Sequence, residues 1–467
     1  MKVITIKDIY QGNFNLNSDI IINGWVRTKR DSKIGISFIN LYDGSCLNTI
    51  QIISKNTLNN YYSEIINITT GCSLTVKGKI INSLGNLQKY EILSKEIKIA
   101  GSVFNPNTYP ISSKKHTLEY LREVAHLRPR TNIIGSISRV RNTLNYYLHK
   151  FLHRKGFFWV PTPIITSINT EGAGDTFSVS SSSQKTKNDY NFNHDIYKDN
   201  FFGKKTFLTV SGQLNLEAYA CALSNVYSFG PTFRAENSNT SRHLSEFWML
   251  ELEIAFSDLN HIIIFVELFL KYLFNILLKK CKDELIFFSE YTNINLLDKL
   301  EQSLEYNFIQ IDYCEVIEIL NNVNVNFNNK KILFGDDLSS EQEKYICEQH
   351  FKKIVFIKNF PKSMKAFYMR LNDDNKTVAS MDLLVPRVGE LIGGSQREER
   401  LTELDDRIKE LGLKKEDYWW YRDLRVYGTV PHSGFGLGFE RLLSYVTGIK
   451  NIKDIAPFPR TIHNANF

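Results

Sequence analysis

Up to about residue 100, apolar and polar positions alternate in short runs, at 20–22, 24–27, 37–41, 49–53, 73–80 and 91–93. A period of two is the pattern of a half-buried strand, and turn signals such as Asp43-Gly44 separate the runs. About five strands in this length suit a small closed barrel of the OB type, a fold that binds single-stranded nucleic acid on one face. Residues 101–130 carry Pro106, Pro110 and Pro129 among polar residues and read as a linker with one short helix near 118–124. The period then changes. Ile133, Ile134, Ile137, Val140, Leu144, Tyr147, Leu148 and Phe151 form one helical stripe, and Gly156 is a natural stop for it. A strand through Pro163 comes next, suited to a sheet edge or a subunit interface. Runs at 229–236 and 246–253 read as two strands joined by a polar loop, and 258–350 reads as a mostly helical insertion. The fold class is α+β.

Composition narrows the class. A chain of 467 residues with 43% hydrophobic content accommodates two or three domains. The densest apolar run, 261–274, is interrupted by Glu267 and Lys271, and the N-terminus lacks a signal-peptide layout; no membrane association and a cytoplasmic location are expected. The six cysteines form no CxxC pair and none has a histidine at zinc-ligand spacing, so free thiols are expected. A net charge of +7 permits nucleic-acid binding without requiring it. The Asn-, Ile- and Lys-rich tracts at 186–200 and 322–331 read as solvated loops.

Three segments carry candidate chemistry. In the first, Gly434, Gly436 and Gly438 recur at every second position, so in a strand they share one bare face. Such a face either lies under another element or offers a platform for a flat aromatic group beside Arg441. In the second, Arg234 leaves one strand, Arg242 and His243 sit in the loop, and Phe247 lies on the return strand. Guanidinium groups match phosphate oxygens bidentately and an aromatic ring stacks on a base, although a hairpin with surface ion pairs shows the same pattern. The third is the helix and the Pro163 strand. In the barrel, Arg27, Lys29, Arg30, Phe38 and Gln51 are candidates for one binding face.

Together and in this order, the three segments resemble the signature motifs of the class II aminoacyl-tRNA synthetases. Pro163 matches the first motif, Arg234 and Glu236 the second, and Gly438, Glu440 and Arg441 the third. The resemblance runs over nearly the whole chain and is closest to the bacterial asparaginyl-tRNA synthetases, through stretches such as Gly24-Trp25-Val26-Arg27, Ser211-Gly212-Gln213-Leu214-Asn215 and Gly393-Gly394-Ser395-Gln396-Arg397. It implies an anticodon-binding barrel over 1–100, a hinge over 101–130 and a catalytic domain over 131–467 built on an antiparallel sheet flanked by helices. It also implies a homodimer formed through the first motif, with tRNA(Asn) as the partner.

The same resemblance implies the site. Arg234 would hold the α-phosphate of ATP and Arg441 the far phosphates, the two catalytic contacts. Phe247 and the face of Arg441 would sandwich the adenine, with Glu236, Arg242, His243 and Gly438 completing the ATP site. Magnesium would take Glu390 first and Asp382 second. Glu171 would hold the α-ammonium of the amino acid, assisted by Ser211 and Gln213, and Arg397 would donate to its side-chain oxygen. In the barrel, Arg27, Phe38 and Gln51 would grip the anticodon, with Phe38 stacking on a base. His243 and His432 are not evident bases; a phosphate oxygen of the adenylate serves instead.

The choice of amino acid rests on the residues directly after Gln213-Leu214. Enzymes that use aspartate place a lysine where this chain has Leu216. A second buried carboxylate would lack its cation, which is costly. Glu217 would accept from an amide NH₂ and repel aspartate, unless it is an ordinary acid on a helix surface. Asparagine is therefore the expected substrate. The rivals are an aspartate-charging enzyme, a tRNA-independent amide-forming relative, which the barrel disfavours, and a silent tRNA-binding paralogue, which the intact motifs disfavour.

Overall fold

The computed structural model describes residues 2–85, 88–112, 114–168, 170, 175–181, 201–238, 240–323, 327 and 331–467. The chain divides into two compact units, Met1–Val140 with Phe467, and Arg141–Asn466.

In the first unit, β1 (Lys2–Val3) is followed by α1 (Ile6–Tyr10), capped reciprocally by Thr5 and Asp8. Five longer strands follow: β2 (Asp19–Ser32), β3 (Ile36–Tyr42), β4 (Ile50–Lys55), β5 (Ser73–Asn82) and β6 (Tyr90–Gly101). They pair in the order β1-β2-β3-β4-β6-β5, and a β2–β5 pairing closes the barrel. Inward positions are mostly β-branched, including Ile20, Ile22, Ile39, Ile50, Ile52, Val76, Ile80 and Ile92, which suits a pleated surface buried on one side. Between Val26 and Thr28 the β2–β3 register shifts by one residue. The linker carries α2 (Leu118–Glu123), and α3 (Asn132–Arg154) spans the division between the units.

In the second unit, β7 (Phe158–Trp159) stops where Pro161 and Pro163 remove two N–H donors, and β8 (Ile165–Thr166) begins beyond them. The expected strand through Pro163 is thus two short pieces with the proline between. β9 (Ser178–Val179) and β10 (Thr206–Leu208) join β8 in a small sheet of order β8-β10-β9. α4 (Gln213–Leu223) leads into β11 (Asn225–Phe233) and β12 (Glu246–Ala255).

Helices α5 (Leu259–Lys280), α6 (Lys282–Thr292) and α7 (Leu296–Glu305) come next, then β13 (Ile309–Asp312), α8 (Tyr313–Asn322), α9 (Ser340–Lys344) and β14 (Val355–Lys358). The stretch read as a helical insertion therefore also supplies an edge strand to the main sheet. α5 is long and apolar enough to cross a membrane by length and composition, contrary to the sequence reading of that run. Here Ile262, Val266, Phe269, Leu273 and Phe274 on it are buried in the domain, and Glu267 pairs with Lys271.

The remaining elements are β15 (Ser380–Val385), β16 (Gly389–Gln396), α10 (Leu401–Glu410), α11 (Trp419–Val426), β17 (His432–Gly438) and α12 (Phe439–Thr447). The main sheet runs β13-β14-β15-β16-β17-β12-β11-β7, antiparallel from β14 to β11 and parallel only at its two ends.

Candidate functional site

The site is laid out by strand register. Along β12, residues Phe247, Met249, Glu251 and Glu253 share one face. Met249 lies opposite Gly438, Glu251 opposite Gly436, and Glu253 opposite Gly434. On β16, Gly393 faces Gly436 and Ser395 faces Gly434. Three rows result, running from an open cleft to a sealed floor.

At the first row the cleft is open. Arg234, Glu236, Arg242, His243, Phe247, Glu390, Gly393, Gly436, Gly438 and Arg441 line it together around about 800 Å³ of empty space that opens to solvent. A Cβ on Gly438 would meet nothing nearer than 3.6 Å, and one on Gly436 would press only on the flexible Met249 side chain, 3.1 Å from its Sδ, so no backbone covers this part of the glycine strand. Gly434 is different: a Cβ there would collide with Leu252 O and the Glu253 carboxylate. The platform is Gly436 and Gly438, and Gly434 instead makes room for the floor.

Arg234 lies 5.6 Å from the centre of the Phe247 ring. Arg441 Nη1 donates to Glu390 O at 2.9 Å and to Glu390 Oε2 at 3.1 Å. Burial would raise the Glu390 carboxyl, but Arg441 and Lys365 outweigh it and hold the group below its ordinary range. Asp382 is pushed up by burial and by Glu390, although Lys365 Nζ donates to it at 2.6 Å. Burial, with Arg441, Arg234 and Arg242 close by, holds the His243 imidazole down, against the pull of Glu236. Glu440, from the third motif, is structural: it accepts from Arg141 Nη2 at 2.5 Å and from Trp248 N at 3.0 Å.

The floor is closed. Glu217, read from sequence as either a substrate contact or a surface acid, is completely buried. Its Oε2 accepts from Tyr421 Oη at 2.7 Å and Arg425 Nη2 at 2.9 Å and lies 2.8 Å from His432 Nε2; its Oε1 accepts from Gln213 Nε2 at 3.1 Å. Burial would raise this carboxyl, yet Arg425 and His432 hold it well below the usual carboxylate range. Arg397 makes a two-pronged pair with Glu253 through Nε and Nη2 and donates to Ser395 Oγ at 2.8 Å, which uses three of its five N–H donors.

Between cleft and floor lies Glu251, a carboxylate that sequence reading passed over. It accepts from Ser211 Oγ, from Gly212 N at 2.9 Å and from Ser228 Oγ at 3.3 Å. It is 6% exposed and lines a second cleft, whereas Glu217 has no exposed surface. Its signal in the sequence was the alternation Phe247, Met249, Glu251, which places it on the face that carries Phe247.

In the barrel, Arg30 is paired in register with Phe38, and its guanidinium sits 5.2 Å from that ring. Asn40 pairs with Gln51, whose amide donates to Glu91 at 2.8 Å. Glu91 also accepts from Ser83 Oγ and Gln88 Nε2. Arg27 departs from the expectation. It sits in the β-bulge, and its guanidinium stacks on Tyr42 at 4.0 Å, away from Phe38 and Gln51. Arg30 takes that place on the face. Lys29 is tied to Asp31 and Ile66 O.

Comparison with known proteins decides the family. A family model described as tRNA synthetases class II (D, K and N) matches residues 117–462, and an OB-fold nucleic acid binding domain matches 20–100. The chain belongs to the class II tRNA synthetases. It is 61% identical over 468 residues to an asparagine–tRNA ligase of Buchnera aphidicola from Acyrthosiphon pisum, covering all of both chains, and 56% identical over 469 residues to that of Escherichia coli O157:H7, again covering all of both. Among solved structures it is similar to asparaginyl-tRNA synthetase from Pyrococcus horikoshii complexed with asparaginyl-adenylate, at 31% identity and a TM-score of 0.84, over 96% of this chain and 95% of that one.

In this class II synthetase the two carboxylates expected to take magnesium lie together. A Cβ on Gly393 would lie 3.1 Å from Glu390 Oε1 and 3.7 Å from Asp382 Oδ1, so both carboxylates face the same space beside the cleft. Two carboxylates plus phosphate oxygens are an ordinary magnesium set. Glu343, on α9, approaches from the other side, 3.8 Å from Arg242; burial and the facing Glu390 push its carboxyl up to about 7. Glu171, the expected ammonium ligand, lies outside the described residues.

Proposed function

We infer that the chain ligates L-asparagine to tRNA(Asn) in two steps, through asparaginyl-adenylate, releasing pyrophosphate and then AMP. The observation that carries this reading is the single cleft in which Arg234, Arg441 and Phe247 converge beside Gly436 and Gly438, one strand row from Glu251. In the first step the asparagine carboxylate attacks the α-phosphate of ATP. No protein nucleophile is needed. The cleft holds two anions together and stabilises charge as the phosphate geometry changes. Arg234 holds the α-phosphate, Arg441 the far phosphates, and Phe247 stacks on the adenine. Arg242 and His243 border the phosphate end. Magnesium, held by Glu390 and Asp382, would neutralise phosphate charge. In the second step a ribose hydroxyl of the tRNA 3′ end takes the aminoacyl group, and an adenylate phosphate oxygen accepts its proton.

Selection of asparagine rests on fixed charges. Arg397 keeps two N–H donors for the side-chain carbonyl oxygen, and Glu251 accepts from the amide NH₂. Glu253 and Glu217 already pair with Arg397 and Arg425, and Leu216 is apolar and fully buried, so a second substrate carboxylate would add a negative charge beside Glu251 with no further cation to balance it. Glu171, Ser211 and Gln213 take the α-ammonium.

ATP–pyrophosphate exchange tests the reading. It should depend on asparagine and not on aspartate, and transfer to tRNA(Asn) should follow. Exchange driven equally by aspartate would overturn the substrate; binding of tRNA with no exchange would overturn the activity.

The barrel reads the anticodon through Phe38, Arg30 and Gln51. Phe38→Ala should raise KM for tRNA about tenfold, as one stacking platform is worth ~1–3 kcal/mol, and leave exchange unchanged. The protein is a homodimer: Trp159, Ile164 and Trp248 are exposed and line one cleft beside the Pro163 segment. Light scattering giving the 54.1 kDa monomer mass at micromolar concentration would count against it. A cytoplasmic location, where tRNA charging serves translation, belongs to the same proposal.

A further inference from the structure

We propose that Glu217 is a positioning residue: buried beneath the amino-acid site, it fixes the side-chain amide of Gln213 so that the amide oxygen faces the substrate's α-ammonium. The inference rests on the proposed function, in which the Gln213 side of the site receives that ammonium.

Hydrogen-bond chemistry sets the orientation. An ionised carboxylate only accepts, and Glu217 is held ionised among donors from three elements: Tyr421 and Arg425 on α11, His432 on β17 and Gln213 on its own helix. The amide group that meets Glu217 Oε1 must therefore be the NH₂ of Gln213. The carbonyl oxygen is then turned the other way. Among the described residues nothing donates to that oxygen, and it keeps contact with solvent although Gln213 is only 8% exposed. An open acceptor on a nearly buried side chain, with its orientation fixed from behind, suits a primary ammonium.

The support is rigid. Glu217 and Gln213 are one helical turn apart on α4, so their side chains lie on one face. Arg425 cross-links Glu217 to α11 and donates through Nε to Glu398 O at 2.8 Å, next to Arg397 in sequence. Arg397 N donates to His432 O at 2.8 Å. The group that orients Gln213 is thereby tied to the backbone that carries the side-chain ligand Arg397. A glutamine at position 217 would keep the shape, but its own NH₂ would face at least one donor, and the Gln213 amide would be free to reverse.

The test compares asparagine with its analogue bearing hydrogen in place of the α-amino group. Binding of each to the full-length protein is measured by competition. In the wild type asparagine should bind better than the analogue. In Glu217→Gln asparagine should weaken about tenfold or more, the size of a lost hydrogen bond to a charged group, while the analogue and the KM for ATP stay within about twofold. Gln213→Ala should do the same, and the double variant should be no worse than either. If the analogue weakens as much as asparagine in Glu217→Gln, Glu217 acts on the side chain or on folding, and the proposal fails. It fails too if neither ligand is affected. If the wild type shows no preference for asparagine over the analogue, the ammonium-site reading itself falls. Should Glu217→Gln alone not fold by thermal melting, Glu217→Gln with Arg425→Gln removes one charge of each sign and gives the same ratio.

Discussion

At the open end of the cleft, Arg234, Arg441 and His243 border empty space, and Arg441 leans on the backbone and side chain of Glu390. At the floor, only a few residues along the same strands, Arg397 and Arg425 are almost wholly buried and answered by Glu253 and Glu217. The residue types are the same, but their work differs. An arginine beside open space can turn toward a solute, and its loss should cost function more than stability. A buried arginine is already paired with a fixed acid and with other internal acceptors. Its loss strands a charge in low dielectric, so the fold suffers along with the site. A charged residue's role here follows from what already occupies its partners.

The largest effect should come at the open end. Arg441→Ala and Arg234→Ala each remove a charge-assisted phosphate contact. Adenylate formation, followed by pyrophosphate exchange, should fall at least ~10²–10³-fold, the usual cost of removing one transition-state donor. Thermal melting should fall less than in variants of the floor, because both arginines are only half-buried. Near-normal exchange in either folded variant would break the comparison.

The floor should respond in the opposite sense. Arg425→Met leaves Glu217 buried without its main cation, and breaking a buried pair costs about 3–5 kcal/mol. A marked drop in melting temperature is expected, with lost activity as a consequence. A melting temperature equal to wild type would show that the floor tolerates an unpaired acid.

These two behaviours also explain what could be read from the sequence. Period-two alternation exposed the barrel strands, and a helical stripe exposed α3, because burial on one side imposes a period. Arg234, Phe247 and Arg441 were legible because each sits beside a strand end, a loop or a glycine run whose local pattern is unusual. The floor has no such pattern. Glu217 meets Tyr421, Arg425 and His432 more than 200 positions away in the chain, and only closure of α4, α11 and β17 brings them together. Arg27 was misplaced for a related reason. Strict alternation cannot see the bulge at Val26/Thr28, which moves one residue off the shared face. β13 was missed because four residues between helices carry too short a run to show a period.

Glu251 occupies the border between the two regimes and sharpens the contrast. It is 6% exposed where Glu217 is fully enclosed, so substitution should change selection more than folding. Glu251→Gln keeps the size and removes the charge that repels aspartate. The preference for asparagine over aspartate in exchange should shrink by about tenfold or more, since a missing charged hydrogen-bond partner is worth ~1.5–3 kcal/mol. Unchanged preference would move amide recognition away from this residue.

The smallest effect concerns Glu343, a partly buried acid at the open end. Burial and the facing Glu390 raise its carboxyl from 4.5 to about 7, against the pull of Arg242. The folded protein thus keeps a proton there that the unfolded chain releases near its ordinary carboxylate range. Between these two values the folded state binds more protons than the unfolded one, so stability falls as pH rises, and above about 7 the loss is complete. Glu343→Gln carries no proton to lose. From about pH 5.5 to about pH 8 its melting temperature should therefore drop less than that of the wild type, by on the order of 1–2 °C for a chain of this size. Arg242 would keep its bond to Ser340 Oγ at 3.0 Å, so the loop should stay in place and ATP should still bind. Parallel melting curves for the two proteins across that range would mean that Glu343 is ionised throughout, its charge absorbed by Arg242 as thoroughly as the floor absorbs Glu217.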